Sequence, residues 1–195
     1  MMKQITIIQG HPDPKGNHFG CALADAYLKS ATEAGHKVSV IQVARLEFPL
    51  LQSKEEFENG LPPETIRQAQ QLINEAQHLV IIYPLWLGAM PALLKGFLEQ
   101  VFRPDFVNSQ SATGNVWKRR LSGKSARIVV TMGMPAFIYR WYYLAHSLKS
   151  LERNILGFCG IGPIKENLIG MVEAQNGSKR AKWLEKMGAF GRQGM

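Results

Sequence analysis

The chain has 195 residues, of which 46% are hydrophobic and 19% are charged, and its formal net charge is +8. These proportions are typical of a folded protein and exclude a disordered one, and the length predicts a single domain over residues 1–195. The longest apolar stretch contains two prolines, and the first apolar run, residues 5–8, is too short for a signal-peptide core. We therefore expect a cytoplasmic protein without a membrane-spanning segment.

Strand patterns and helix patterns alternate five times along the chain. The first four strands appear as short, largely apolar runs, the fifth, over residues 164–169, is a weaker pattern, and the helices appear as apolar residues spaced three and four apart. The predicted elements are strand 5–8, helix 19–34, strand 38–43, helix 66–76, strand 79–83, helix 91–102, strand 126–131, helix 141–155, strand 164–169 and helix 181–190. Such alternation predicts an α/β fold with a parallel sheet and helices on both faces.

Two long connections interrupt this alternation, at residues 44–63 and 103–123. The second is too long for a passive linker in a compact domain. Ligands of parallel sheets lie beyond the carboxyl ends of the strands, so the loops at that edge are the first place to search for a site.

Residues 79–102 form the segment around which we interpret the rest of the chain. Their first five residues predict a strand buried on both faces, and Pro84 ends it because proline cannot donate to a sheet. Pro91 then suits the start of a helix. The loop between the two prolines is apolar and contains Trp86 and Leu87. We expect it to support a flat aromatic ligand, whereas simple packing is the alternative for Trp86.

Three loops are expected to meet at the carboxyl edge: residues 10–18, 84–90 and 132–139. The first precedes a helix whose opening N–H groups lack partners, and Lys15, Asn17 and His18 add positive charge and donors. The loop therefore predicts a phosphate-binding site. The alternative is that Asn17 only caps the helix and His18 only packs on it. The third loop offers the backbone N–H groups of Gly133 and its neighbours.

Together these loops suit a phosphate tail, a flat ring and a polarisable ring edge, which are the parts of flavin mononucleotide (FMN). The GxGxxG pattern of ordinary NAD-binding Rossmann domains is absent, which argues against that kind of dinucleotide site.

The motifs carry a resemblance to a known family. GHP followed by HF precedes the first helix, YPLWLGAMPALLKGFLEQVF spans residues 83–102, and Gly133 is followed six residues later by Tyr139. From residue 4 to about 172 the chain resembles the NAD(P)H:quinone oxidoreductases of the flavodoxin-like fold. The resemblance implies a doubly wound five-stranded parallel sheet of order 2-1-3-4-5. It also implies a flavin-dependent reductase that binds NAD(P)H and quinone in turn, and a homodimer with its sites at the subunit boundary.

The resemblance also implies a role for each matching residue. Gly133 and Tyr139 would act in catalysis, and a core aromatic is the alternative for Tyr139. The implied flavin contacts are His11, Asn17, His18 and Phe19 at the phosphate, Pro84, Leu85, Trp86 and Leu87 along the ring, Met132, Gly133 and Met134 near its edge, and Tyr139 beside its reactive face. The family's phosphate loop normally supplies hydroxyls, but residues 10–20 contain none and His18 stands where a serine is usual. His146 adjoins another family histidine position, and we expect it to be structural.

FMN is the expected cofactor because the chain is short and shows no dedicated adenosine site, with FAD as the alternative. NAD(P)H is the expected co-substrate. No metal is expected, because Cys21 and Cys159 lack metal-ligand spacing and fit reduced core residues.

The basic residues are scattered and accompany no zinc-finger or RNP signature, so we do not expect nucleic-acid binding. A solvated basic face is the first interpretation, and attraction of anionic nucleotides or of an anionic membrane surface is the second. The alternative function is a flavin-binding accessory subunit of a potassium efflux transporter, which the family also includes. A flavin-less binding domain is a third possibility.

Overall fold

The computed structural model describes residues 2–110 and 117–195, with the backbone alone at residues 109, 110, 117 and 118. The strands are β1 (Gln4–Gln9), β2 (Lys37–Gln42), β3 (His78–Pro84), β4 (Asn108–Gln110), β5 (Trp117–Arg119), β6 (Ser125–Thr131) and β7 (Ile164–Ile169). The helices are α1 (Phe19–Glu33), α2 (Lys54–Asn59), α3 (Glu64–Glu75), α4 (Ala92–Val101), α5 (Pro104–Val107), α6 (Ala136–Trp141), α7 (His146–Lys149) and α8 (Gly177–Gln193).

The five predicted strands form one parallel sheet in the order β2-β1-β3-β6-β7. In chain order of these five strands this is 2-1-3-4-5, so the predicted flavodoxin-like topology is confirmed. Strand order reverses between β1 and β3, and a ligand crevice is expected outside the carboxyl ends of the strands at that point.

Both faces of the sheet are apolar because successive side chains of a buried strand point to opposite sides. In β3, Val80 and Ile82 pack with apolar residues of α1 and α8, whereas Leu79 and Ile81 pack with those of α3 and α4. Residues 78–83 are all buried. The prediction of a central strand buried on both faces is therefore confirmed.

The predicted helix over residues 141–155 is wrong in its first half. Leu144 and Ala145 have left-handed backbones, with φ of 53° and 48°, which an α-helix of L-residues cannot contain. The chain instead ends α6 at Trp141 and resumes as α7, followed by a π-helical segment over Ser150–Gly157. Trp141 and Leu144 consequently lie at the surface, whereas Ala145, Leu148 and Leu151 are buried as the pattern predicted.

The two long connections contain structure that the apolar pattern did not predict. A single turn over Val43–Arg45 and helix α2 occupy the first, and α5 with the antiparallel pair β4–β5 occupies the second. Residues 111–116 of the second connection lie outside the described residues. Within the described residues no helix is both long and apolar enough to cross a membrane.

His78, at the start of β3, makes stability sensitive to acid. The side chain is buried with Nδ1 2.8 Å from Oγ of Ser125, and burial, with the nearby charges of Lys3, Arg127 and Lys165, lowers its pKa to about 4. Between pH 6.5 and 4 the unfolded chain therefore binds a proton that the native chain does not. We expect the free energy of unfolding to fall by about 3 kcal/mol as the pH drops through that window.

This expectation is measured by urea unfolding from pH 8 to pH 4. His78→Gln should flatten the pH dependence, and His146→Gln, at an exposed position, should preserve it. An equal slope in the wild type and His78→Gln would contradict the assignment.

Candidate cofactor site

A cavity of about 370 Å³ opens at the carboxyl edge of the sheet, on the side where strand order reverses. Its walls come from the loops after β1, β3, β6 and β7, from the start of α1 and from the first turn of α8. The lining residues are His11, Asn17, His18, Phe19, Gly20, Pro84, Leu85, Trp86, Thr131, Met132, Gly133, Val172, Glu173 and Arg180. Nine of the twelve cofactor residues proposed from the sequence are in this set, and Leu87, Met134 and Tyr139 are not.

The beginning of α1 supplies hydrogen-bond donors to this cavity. His18 is the N-cap residue, and its side chain makes no capping hydrogen bond to the helix. The N–H groups of Phe19 and Gly20 make no hydrogen bond within the described part of the chain. Asn17 is exposed and does not cap α1, so the alternative interpretation of Asn17 is wrong. Free N–H groups and the helix dipole together favour an anion here.

His11, Asp13 and His18 form a polar cluster beside these N–H groups. The two imidazole rings stack with centroids 3.7 Å apart, and His18 Nε2 lies 2.9 Å from Asp13 Oδ2. The Asp13 N–H donates to His11 Nδ1 at 3.1 Å, so a neutral His11 carries its proton on Nε2. Burial, followed by the proximity of His18, lowers the pKa of His11. A hydrogen bond from the Lys15 N–H is the main cause of the lowered pKa of Asp13.

The loop after β3 forms the apolar wall. The Leu85 N–H donates to the Thr131 carbonyl at 2.7 Å, which holds this loop against the end of β6. The ring centroids of Trp86 and His11 are 5.8 Å apart, and the two rings meet edge to face. Trp86 and Ala89 then pair across a tight turn whose central residues, Leu87 and Gly88, both have positive φ. Leu87 is therefore at the tip of the turn and fully exposed, away from the cavity.

The loop after β6 contributes backbone donors, although fewer than the sequence suggested. The Met132 N–H is already bonded to the Ile169 carbonyl at 2.9 Å. The N–H groups of Gly133 and Met134 make no hydrogen bond among the described residues. A Cβ added to Gly133 would meet no protein atom within 4 Å, so the fold itself does not require glycine there. The open space beside Gly133 is room for a ligand.

Tyr139 does not reach the cavity in this structure. It is 1% exposed, its hydroxyl lies 2.7 Å from Ser147 Oγ, and it accepts a hydrogen bond from the Leu148 N–H at 3.2 Å. This placement supports the alternative of a core aromatic that fixes the start of α7. Met134 is half-buried and packs against the core.

Five lining residues were not predicted from the sequence: Gly20, Thr131, Val172, Glu173 and Arg180. Arg180 donates to the Val172 carbonyl at 2.8 Å and lies 5.5 Å from the Phe19 ring centroid, so it brings a positive charge to the phosphate side. For Val172 and Glu173 the available signal was topological, because the loop after the fifth strand begins at the same edge of the sheet as the other three loops.

The donor set fits a flavin phosphate and ring. Free helix N–H groups and Arg180 suit an anion, and Pro84, Leu85 and Trp86 suit an aromatic ring. The free Gly133 N–H, with open space beside it, would suit the ring edge. Among the described residues no group of His, Cys, Asp and Glu is arranged to hold a metal ion.

The sheet order and the position of this cavity define a flavodoxin-like α/β protein. A family model for the flavodoxin-like fold matches residues 3–189, and the chain belongs to this family.

The chain is also similar to individual proteins with more specific names. The chain is 28% identical over 183 residues to an uncharacterized NAD(P)H oxidoreductase of Haemophilus influenzae, covering 92% of this chain and 89% of the relative. It is 39% identical over 75 residues to an ancillary protein of the glutathione-regulated potassium-efflux system of Yersinia enterocolitica, covering 38% of each. Among solved structures, the NAD(P)H:quinone oxidoreductase of Methanothermobacter marburgensis superposes with a TM-score of 0.79 at 24% identity, covering 98% of this chain and 96% of the other.

Proposed function

We propose that the protein is a flavin-dependent NAD(P)H oxidoreductase that reduces a quinone or a similar electrophile by two electrons. The observation that carries the proposal is the 370 Å³ cavity at one edge of the sheet. It combines an anion-binding helix start, an apolar wall and free backbone N–H groups. In the balanced reaction, NAD(P)H, a proton and the quinone give NAD(P)⁺ and the hydroquinone. Bound FMN would accept the hydride from the nicotinamide and pass it on.

The residues of the chain would bind the flavin, orient it and exclude water from it. The N–H groups of Phe19 and Gly20 would hold the phosphate, and Leu85 and Trp86 would cover the ring. The Gly133 N–H would face negative charge as it develops at the ring edge, where fixed dipoles are effective because they need no reorganisation. Hydride transfer requires reacting atoms about 3–3.5 Å apart, so the chief contribution of such a site is placement.

The test begins with the absorbance spectrum of the purified protein after incubation with FMN and, separately, with FAD. Saturable binding and anaerobic bleaching by NADH or NADPH, followed by reoxidation with a quinone, are the expected results. Comparing the two nucleotides and the two flavins identifies the preferred forms. Failure of both flavins to bind would overturn the proposal.

A second candidate function is that of a flavin-binding accessory subunit of a potassium efflux transporter. The 39% identity to the Yersinia ancillary protein favours it, although that match covers 38% of the chain. Co-purification with a transporter in membranes, together with altered ion flux on mixing, would support this function. Full turnover that no transporter changes would favour the free-standing reductase.

We further propose that the active form is a homodimer, because aromatic side chains next to the cavity loop are exposed. Phe137 and Trp141 lie one turn apart on α6 and are 65% and 75% exposed, and Tyr142 is 78% exposed. Contiguous exposed apolar surface of this kind marks an interaction site. Analytical ultracentrifugation should show a dimer for the wild type and a shift toward monomer for Trp141→Glu. A monomeric wild type would contradict the proposal.

A further inference from the structure

The phosphate side of the cavity has an unusual donor set in its first loop. Residues 10–20 contain no serine or threonine, so this loop offers a phosphate no side-chain hydroxyl. In that loop the side chains that line the cavity include two histidines, His11 and His18, whose rings are stacked. A histidine can serve a phosphate as a neutral donor or as a cation, and the two modes are distinguishable because only the second takes up a proton.

Asp13 is held in place behind this pair. One carboxylate oxygen accepts from the Lys15 N–H at 2.9 Å, the other lies 2.9 Å from His18 Nε2, and the Asp13 N–H donates to His11. Asp13 is not among the residues that line the 370 Å³ cavity, whereas His18 is. His18 therefore adjoins both the carboxylate and the space that a ligand would occupy.

This arrangement gives the two nitrogens of His18 different partners. Nε2 has the fixed carboxylate, and Nδ1 has no hydrogen bond among the described residues. A doubly protonated ring would donate from Nε2 to Asp13 and from Nδ1 to an anion in the cavity, and both bonds would be charge-assisted. A neutral ring bonded to Asp13 carries its proton on Nε2 and has no Nδ1–H to donate.

We propose that His18, oriented by Asp13, binds the flavin phosphate as an imidazolium, so that cofactor binding takes up a proton. This inference rests on the proposed function, since it concerns the same cavity. The proton comes from solvent and is released when the phosphate leaves. His18 is the binding residue, and Asp13 is a positioning residue that favours the charged ring.

Other charged and titratable groups lie on the loop of His18 and in the cavity wall. His11 stacks on the His18 ring, and Lys15 lies on the same loop. Glu173 and Arg180 line the same cavity. Arg180 adds a charge that is constant over the range tested, since arginine stays protonated. His11 Nδ1 accepts a hydrogen bond from the Asp13 N–H, which favours a neutral His11 ring. The proton taken up on binding is therefore assigned to His18.

The experiment measures the Kd for FMN from pH 7 to pH 9, where the phosphate of FMN is ionised, by quenching of flavin fluorescence. If binding takes up one proton, Kd rises by up to tenfold for each unit by which the pH increases. Calorimetry in buffers of different ionisation enthalpy counts the proton directly. Ring ¹⁵N chemical shifts of His18 in the FMN complex should be those of an imidazolium. Riboflavin, which lacks the phosphate, should bind with no pH dependence.

Three variants separate a binding role from a structural one. His18→Gln keeps a donor but cannot charge, and should weaken FMN binding at pH 7 by at least about tenfold and remove the pH dependence. His18→Ser should restore part of the affinity without the pH dependence. Asp13→Asn should weaken binding most at the alkaline end. His146→Gln is the matched control and should behave as the wild type.

Two outcomes overturn the inference. FMN binding that is flat with pH, or that is equally tight in His18→Gln, would overturn it and leave the proposed function intact. If the wild type bound neither FMN nor FAD, both would fail. A variant that unfolds would also lose riboflavin binding, so unchanged riboflavin affinity shows that the effect lies at the phosphate.

Discussion

Gly170→Ala is expected to abolish tight FMN binding while the sheet stays folded. Gly170 directly follows β7, and a Cβ there would overlap the Ala136 N atom and lie 2.7 Å from the Met134 carbonyl oxygen. Both obstacles are backbone atoms, one in the loop after β6 and one at the start of α6, and backbone atoms cannot rotate away as a side chain would. The Met171 N–H also bonds to the Met134 carbonyl at 3.1 Å, so the two loops are joined where they cross.

The loop after β6 must therefore shift, and with it the free N–H groups of Gly133 and Met134. A displacement approaching 1 Å at such a site reduces rates by about 10²-fold, and overpacking lowers the free energy of unfolding by about 1–3 kcal/mol. Flavin fluorescence measures FMN binding, anaerobic reduction measures the rate, and urea unfolding measures the free energy of unfolding.

Gly177→Ala is the matched control for Gly170→Ala. Gly177 is the first residue of α8, and a Cβ there would meet nothing within 4 Å. We expect unchanged FMN binding in this variant. If Gly170→Ala bound FMN as tightly as Gly177→Ala, the loop crossing would not be what positions the ring-edge donors.

The parts of the fold that were predictable are those in which the apolar pattern is continuous. Residues 79–83 are apolar without interruption because β3 is covered on both faces, and the run is visible without any tertiary information. The meeting of the loops after β1, β3 and β6 then follows from the parallel sheet. His11, His18 and Trp86 lie in one cavity for that topological reason.

What could not be predicted depends on backbone conformation and on distant contacts. A three-and-four spacing runs through Leu144 and Ala145, but their left-handed φ values break the helix, and periodicity cannot register a single dihedral angle. The same break brings Ser147 to the hydroxyl of Tyr139, which fixes that side chain in the core. Leu87 likewise turns outward because residues 87 and 88 form the centre of a tight turn.

Arg180 illustrates a different limit. It lies on a helix whose apolar pattern is weak and begins one residue later, and it reaches the cavity because α8 packs along α1. Nothing local distinguishes Arg180 from Lys179 or Lys182. Only the three-dimensional proximity to Phe19 assigns it to the site.

The largest loss of stability is expected from Arg103→Met, which should lower the free energy of unfolding by about 3 kcal/mol. Arg103 is 1% exposed and lies just beyond α4. Its guanidinium donates to the carbonyls of Glu56 and Gly60, at 2.8 Å and 2.6 Å, and to the side-chain oxygen of Gln100. Gln100 in turn donates to the Pro49 carbonyl at 2.7 Å.

These two polar residues at the end of α4 thus hold the long connection between β2 and α3 to the body of the protein. A positive charge also suits the carbonyl end of the short helix α2. Methionine can fill much of the volume but donates nothing, so the Gly60 carbonyl and the Gln100 oxygen would lose their buried partner. Hydrogen exchange should therefore show residues 49–60 opening before the sheet does, and urea unfolding should give the total loss.

Arg67→Met is the matched control, because Arg67 lies on the exposed side of α3 and, in the part of the chain that the structure describes, pairs only with Glu64 on the same helix. An exposed pair of this kind contributes at most about 0.5 kcal/mol. Arg103→Lys should fall between the two, since one ammonium can reach some of the carbonyls but cannot reproduce the planar fork. If Arg103→Met lost no more stability than Arg67→Met, the buried guanidinium would not be what anchors this connection.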